Sequence, residues 1–429
     1  MRLSILFIFA ICIVLANCSK EDDFRPIEVN SSCSSSSFTP FYEQQDANAL
    51  SLSIYCDCLD TAIDLSNKLM AYTEVVDIDF NCEAAYFNQI PAMNSVRSLT
   101  SNTTTEHIIS AFPYLEVYKN KSYTKEPLAR ELAFFGNLKE VVLLNTVNFP
   151  DFLATASWDV FKMTFQSTAE QAITLPSNLS VLRNLKELTI RDVVEVVRFT
   201  NYENLNSLKH LELSNILWVG IPETSNQWPN LKTLQISDVE LRGSRTLPDI
   251  FEDMNSLESV YISGTEVSTN TQIHISKAPN LKELTFSFCE IGSIPDEIGD
   301  LANLNKLIIA TDETTTIDIV LPLSVGNLSN LKSIFVSTNS NQFPVALLDL
   351  NSTLESMAIR DDIGAIPPEI GSFTALKELK LEYCGLTILP SEIQSIASTL
   401  EKLSLIGNGF SEAAKQQIEA WLPNTNIDF

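Results

Sequence analysis

From residue 185 onward the chain places its apolar residues on a regular beat. Leu185, Leu188 and Ile190 recur as Leu208, Leu211 and Leu213, then Leu231, Leu234 and Ile236, then Leu257, Val260 and Ile262. The beat continues through Leu281, Leu284 and Phe286, then Leu304, Leu307 and Ile309, then Leu331, Ile334 and Val336. Leu354, Met357 and Ile359, Leu376, Leu379 and Leu381, and Leu400, Leu403 and Leu405 complete it. The last two apolar residues of each unit stand two apart, a period that predicts a short strand with these residues inward and the intervening ones toward solvent. Leading residues stand 22 to 27 apart. Ahead of most of them lies a second mark, an apolar residue followed by proline: Leu175-Pro176, Ile221-Pro222, Leu247-Pro248, Ile294-Pro295, Leu321-Pro322, Phe343-Pro344, Ile366-Pro367 and Leu389-Pro390. A proline has no amide hydrogen and a fixed φ, so it suits the first turn of a helix, where that hydrogen would go unbonded. Each unit therefore reads as strand, turn and short helical turn.

Two marks in register resemble the leucine-rich repeat, L-x-x-L-x-L-x-x-N/C-x-L. The resemblance implies an α/β repeat solenoid, a horseshoe with a parallel sheet on its concave face and short helical turns on its convex face. One unit cannot bury its apolar face without neighbours. The family's ninth position, Asn or Cys, would be filled here by Cys289, Asp312, Asn339, Asp362, Cys384 and Asn408, and in earlier units by Val193, Ile216, Val239 and Thr265. Upstream the signal decays: Leu138, Val141 and Leu143 are clear, Val160, Met163 and Phe165 fair, and Leu115, Val96 and Val75 to Phe80 fit in spacing. The solenoid is thus expected over 72–410, with an N-terminal cap over 41–71 and a C-terminal cap over 411–429. In the latter, Ser411 would cap a helix whose Ala414, Ile418 and Trp421 face the core, and Leu422 to Phe429 would add a last strand.

Composition narrows the class. Hydrophobic residues make up 45% of the chain and charged residues 19%, enough for a large core. The formal charge of -26 repels phosphate backbones, so nucleic acid is not an expected partner. Met1 and Arg2 precede the apolar run Ile5 to Leu15, a secretory signal (1–17) too short to span a bilayer. Leu15-Ala16-Asn17-Cys18 resembles the bacterial lipobox, which implies cleavage before Cys18 and its lipidation. The following Ser19-Lys20-Glu21-Asp22-Asp23 is similar to acidic tags that send Gram-negative lipoproteins to the outer face of the outer membrane. The expectation is an exported, cell-surface, lipid-anchored chain with a tether over 18–40 that includes the Ser-rich stretch Ser31 to Ser37. The alternative is an ordinary secretory signal. Cys33, Cys56, Cys58 and Cys82 are candidates for disulfides, with three pairings open. Cys56-Asp57-Cys58 has no histidine near and a spacer poor for zinc, so no metal is expected.

Enzymatic chemistry is not expected either. His107, His210 and His274 are far apart, and no nucleophile elbow, phosphate loop or paired-histidine motif occurs. Glu187 and Glu212 beside His210 read as charges on a solvated sheet face. No cofactor is implied. Binding is expected on the concave columns, one running Thr189, Glu212, Gln235, Tyr261, Thr285, Ile308, Phe335, Ala358, Lys380, Ser404. The other runs Arg191, Ser214, Ser237, Ser263, Ser287, Ala310, Ser337, Arg360, Glu382, Ile406. Aromatic anchors among small polar groups suit a protein partner, and Tyr261, Phe288, Phe335, Arg360, Tyr383 and Arg191 are its candidate contacts. The alternative is a glycan, stacked on Tyr261, Phe335 and Tyr383. That reading wants tryptophan on the concave face, whereas Trp158, Trp218, Trp228 and Trp421 fall at or near core or convex positions.

Overall fold

The computed structural model describes residues 41–46, 49–55, 69–70, 73–82, 84–102, 107–121, 130–144, 160–166, 182–192, 196–198, 205–219, 228–241, 254–264, 266–267, 275, 278–291, 294–311 and 320–429. These belong to one compact unit, Thr39–Phe429. The signal segment, Cys18, the acidic run, Cys33, Cys56 and Cys58 lie outside the described residues, as does His274.

Strands β1 (Phe41–Asp46) and β2 (Ala49–Tyr55) form an antiparallel hairpin. From β2 onward each strand of an 18-stranded sheet pairs in parallel with the next, beginning with β3 (Val75–Asn81) and ending with Asn426–Asp428. The leading leucines lie just ahead of the strands, and the alternation predicted for them holds: Leu284, Leu307 and Ile334 face inward side by side, as do Phe286, Ile309 and Val336. The core is a stack of such inward rows, with Phe80, Phe87 and Phe112 in edge-to-face contact near its N-terminal end.

On the convex side, 3-10 turns span Asp296–Asp300, Leu323–Asn327, Val345–Leu350, Pro368–Ser372 and Ser391–Ile396. Each follows its expected proline, which stands just before the turn rather than within it. The carbonyls of Pro295, Pro322 and Pro367 each accept the first bond of the turn at 3.1 Å. Gly371 is required by packing here, since a Cβ would stand 2.4 Å from the carbonyl oxygen of Glu392 in the next turn. Helix α1 (Glu412–Trp421) closes the solenoid, and Ser411 Oγ accepts from the Ala414 amide at 3.2 Å. Of its three expected core residues only Ile418 is fully buried; Ala414 and Trp421 are half-buried.

A second ladder went unread in the sequence. The residue before the leading leucine is Asn in several repeats, and its side-chain amide donates to the preceding turn: Asn230 to Asn206 (2.7 Å), Asn280 to Asn255 (2.6 Å), Asn303 to Pro279 (3.0 Å) and Asn330 to Ala302 (2.7 Å). These bonds satisfy carbonyls that no strand reaches.

Charges are ordered along the sheet edge that follows each leading leucine. Glu258 sits between Lys232 (2.6 Å) and Lys282 (2.7 Å), and Glu355 between Lys332 (2.8 Å) and Lys377 (2.7 Å). Hydrogen bonds from both lysines, with their charge, hold each carboxyl at about 2, below its ordinary 4.5. A lowered carboxylate pKa contributes stability that is present above pH 4.5 and lost as pH falls toward 2. We expect the double variant Glu258→Gln/Glu355→Gln to lose less thermal stability than the wild type between pH 5 and pH 2. The wild-type advantage at pH 7 should shrink in high salt, because both carboxylates are solvent-exposed. Equal acid sensitivity in thermal melts would refute the triads' role.

Candidate functional site

The concave register runs as read. Thr189, Glu212, Gln235, Tyr261, Thr285, Ile308, Phe335, Ala358, Lys380 and Ser404 are consecutive partners, and Arg191 through Ser337 form the second column. Its exposure does not match expectation. Thr285, Ser287 and Ala310 are buried, although alternation turns them outward. Thr285 sits between Tyr261 and Ile308 in register, and a small side chain flanked by larger ones on an inward-curving sheet is screened from water.

Arg191 and Glu212 clasp each other through Arg191 Nε to Glu212 Oε1 (2.7 Å) and Arg191 Nη2 to Glu212 Oε2 (2.9 Å). Glu212 is thereby committed to a bidentate ion pair rather than to His210. Arg191 lies seven strands from Arg360 and stands apart from the other candidates. His107 Nε2 contacts the Ile90 carbonyl at 2.7 Å, far along the sheet from His210. Among the described residues no group of three or more His, Cys, Asp or Glu is placed to hold a metal ion.

The turn that follows each strand decides where the remaining candidates stand. At the eighth position, Asp192, Asn215, Asp238, Gly264, Phe288, Tyr383 and Gly407 adopt positive φ between 47° and 76°. This conformation aims each amide along the solenoid: Asp238 donates to Ser263 O (2.8 Å), Phe288 to Ala310 O (2.7 Å) and Tyr383 to Ile406 O (2.9 Å). Asn, Asp and Gly tolerate positive φ, whereas a bulky residue there is an outlier carrying strain of about 1–3 kcal/mol. Phe288 and Tyr383 nevertheless hold it, and they are 39% and 52% exposed. Arg360, from the preceding repeat, lies over the Tyr383 ring at 4.6 Å from its centroid. Gly407, from the following repeat, packs so closely that a Cβ would fall 2.4 Å from the ring.

The ninth position needs correction in three repeats. Cys289, Cys384 and Asn408 fill it as expected. Each thiol reaches the carbonyl of the preceding repeat, Ile262 or Ile359, at 3.3 Å. Asn408 accepts from the amides of Cys384 and Leu386 at 3.0 Å and donates to Leu381 O at 2.6 Å. Burial pushes the Cys384 thiol up to about 12, so it is an inert ladder member. In the three intervening repeats the buried place is taken one residue earlier, by Thr311, Thr338 and Asp361, while Asp362 is exposed and Asn339 half-buried. Asp312 lies outside the described residues. The buried side chain comes one residue sooner there, and none of the three substitutes takes positive φ, which in the Thr338 repeat falls to Asn339 (φ 57°). Asp361 Oδ1 accepts from the Thr338 and Asn339 amides (2.7 and 2.9 Å) and Oδ2 from Thr338 Oγ1 (3.0 Å). In earlier repeats the aliphatic Ile216 and Val239 fill the ninth position, and the following residues pair as a second, three-stranded parallel sheet (Val196–Arg198, Leu217–Val219, Glu240–Leu241).

Exposed apolar side chains concentrate in the C-terminal repeats, on the convex side as well as beside these turns. Seven of the ten large hydrophobic residues exposed among the described residues lie in the last six repeats: Phe288, Val320, Leu323, Val345, Tyr383, Ile388 and Ile406. Val320 to Leu323 and Gln342 to Val345, with Thr338, line a cavity of about 310 Å³. Sequence reading found Phe288 and Tyr383. It missed Val320 and Ile388, whose signal was available as the residue ahead of an apolar-proline mark.

A family model described as Leucine Rich Repeat matches residues 280–301, the unit that holds Phe288 and Cys289. With the register, the ladder and the convex turns in place, that match agrees with the fold. The chain has the leucine-rich-repeat fold. Among solved structures it is similar to a leucine-rich-repeat protein of Leptospira interrogans, at 23% identity and a TM-score of 0.69, over 85% of this chain and 92% of that one. It is also similar to a chain of the Toll–Spatzle complex of Drosophila, at 14% identity and a TM-score of 0.53, over 85% of this chain and 44% of that one. Both likenesses concern the fold. Cys82 is disulfide-bonded, and Cys289 and Cys384 are free and buried.

Proposed function

We propose that this protein is a cell-surface lipoprotein that binds a protein partner through the concave face and adjoining rim of its C-terminal half. The observation that carries the reading is the pair of exposed aromatic rings on that rim, Phe288 and Tyr383, held at positive φ where Asn, Asp or Gly serves elsewhere. Strain retained in exposed rings is explained by use of those rings. Tyr261, Phe335 and Arg360 extend the surface inward. The Toll–Spatzle complex is a precedent for a chain of this fold assembling with another protein. Lipidation at Cys18, from the lipobox-like run, would hold the solenoid at the outer membrane without a spanning helix. Glycan capture is the rival use of the same rings, and the burial of Trp228 weighs against it.

The test uses the full chain carrying Cys18→Ala, which is itself expected to leave the membrane fraction. Pull-down from surface extracts, run beside a glycan array, should return a saturable protein partner. Combining Tyr261→Ala, Phe335→Ala and Arg360→Ala should weaken that binding at least 100-fold. Unchanged binding overturns the concave site, and array hits without a protein partner transfer the reading to glycan capture.

A further inference from the structure

The residue that follows each leading apolar residue belongs to a continuous column along one edge of the sheet, since its amide donates to the carbonyl of the same residue in the preceding repeat. Three carboxylates in this column each sit between two cations. Glu116 lies between Arg97 (4.0 Å) and Lys139 (2.7 Å), and Glu258 and Glu355 lie between lysine pairs at 2.6 to 2.8 Å. A carboxylate with a cation on either side is thus the column's own recurring arrangement.

Midway the arrangement breaks. Lys186, Lys209 and Lys232 take three successive places, with Lys209 N donating to Lys186 O and Lys232 N to Lys209 O, both at 2.8 Å. All three side chains are exposed. Lys232 holds Glu258 on its other side, whereas among the described residues neither Lys186 nor Lys209 has an ion pair. The Lys186 ammonium lies 5.9 Å from the Phe161 ring centroid. Arg183 is exposed in the turn ahead of Lys186, and the exposed His210 lines one depression with Lys232. Glu187 stands one residue beyond Lys186, in the neighbouring column beside Lys162 and His210, and among the described residues it has no ion pair with the three lysines.

Lys186 and Lys232 are two places apart, as are Lys232 and Lys282, but the place between them holds a lysine where the triads hold a glutamate. Lysines stacked at about 4.8 Å per strand repel one another, and a carboxylate set between them relieves the repulsion. No described residue supplies one. We propose that this break in the column docks an acidic segment of a protein partner, whose carboxylates bridge Lys186, Lys209 and Lys232 as Glu116, Glu258 and Glu355 bridge their own neighbours. A long sulfated polysaccharide fits less well. Running along the column, it would meet Glu116 on one side and Glu258 on the other, in the field of a chain with 54 acidic and 28 basic residues. A short segment escapes most of that field, which physiological salt screens beyond about 8 Å. This surface is separate from the concave one and does not depend on it.

The test is fluorescence anisotropy on the full chain at physiological ionic strength, with labelled peptides of alternating Glu and Ser, their Gln/Ser and Lys/Ser counterparts, and a heparin oligosaccharide. The Glu/Ser peptide should bind saturably, at least 5-fold more tightly than either counterpart. Lys209→Glu sets a carboxylate between Lys186 and Lys232, as in the triads, so it should keep or raise the melting temperature while weakening the Glu/Ser peptide at least 5-fold. Lys306→Glu makes the same change of charge four strands away, roughly 19 Å, and should alter that affinity by less than about 2-fold. The variant combining Tyr261→Ala, Phe335→Ala and Arg360→Ala should bind the peptide as the wild type does. Failure of the Glu/Ser peptide to bind, or binding that survives Lys209→Glu or is lost in the concave triple variant, overturns the assignment. Tighter binding of the oligosaccharide, lost in Lys209→Glu, overturns it as well and gives the surface to a sulfated glycan.

Discussion

Leu307→Ala is expected to destabilise the solenoid by about 2–5 kcal/mol and to split its unfolding into two transitions. Leu307 is fully buried in the middle of the C-terminal half, paired with Leu284 on one side and Ile334 on the other. Truncation removes the transfer free energy of the lost methyl groups and leaves a cavity that a stacked sheet cannot collapse to fill. In a repeat protein, stability is approximately a sum of repeat terms and nearest-neighbour interfaces, so one lesion weakens two interfaces at once. Calorimetry should resolve the two sides as separate transitions. Leu403→Ala, in the strand next to the last, should instead fray the C-terminal end and leave the main transition near its wild-type temperature. A single, uniformly shifted transition for both variants would contradict a nearest-neighbour account.

Asp361→Ala should cost about 2–4 kcal/mol, because two amides and a hydroxyl lose their shared acceptor in a buried turn. Asp361→Asn keeps one oxygen for the two amides, and the Thr338 hydroxyl can rotate to accept from the new amide group. Its loss at neutral pH should therefore be the smaller. Burial pushes the Asp361 carboxyl above its ordinary value, against the opposing effect of the three hydrogen bonds. A carboxyl whose folded pKa is raised contributes stability that is fully present below the unfolded pKa and is lost as pH rises through the folded one. The gap between Asp361→Asn and wild type should accordingly narrow as pH climbs from about 4 toward neutrality. A gap that widens over that range, measured by denaturant melts, would show that the hydrogen bonds outweigh desolvation.

How much of the site was legible can be judged residue by residue. Tyr261 and Phe335 were placed on the concave face by counting two residues along a strand, since the pleat alone determines which face a side chain takes. Phe288 and Tyr383 could be singled out as aromatic residues beside the ladder, but their positive φ could not, because it follows from the hydrogen bond each turn makes to the next repeat. Asp362 and Asn339 were assigned to the ladder by the spacing of the repeat. The buried place came one residue early instead, and Asp361 and Thr338 took it. Two adjacent aspartates give a linear reading no basis for choosing between them. The choice is made by which carboxylate finds two amides in the neighbouring repeat.

The sequence by itself determined the repeat, the strand register, the inward rows and the convex proline turns. All follow from local periodicity repeated often enough that each unit confirms the next. Tertiary structure alone decided that Thr285, Ser287 and Ala310 are screened from water, that Arg191 is spent on Glu212, and that Thr311, Thr338 and Asp361 take the buried place one residue early. Each of those outcomes depends on contacts between units some 21 to 28 residues apart, made by side chains whose partners no single repeat contains.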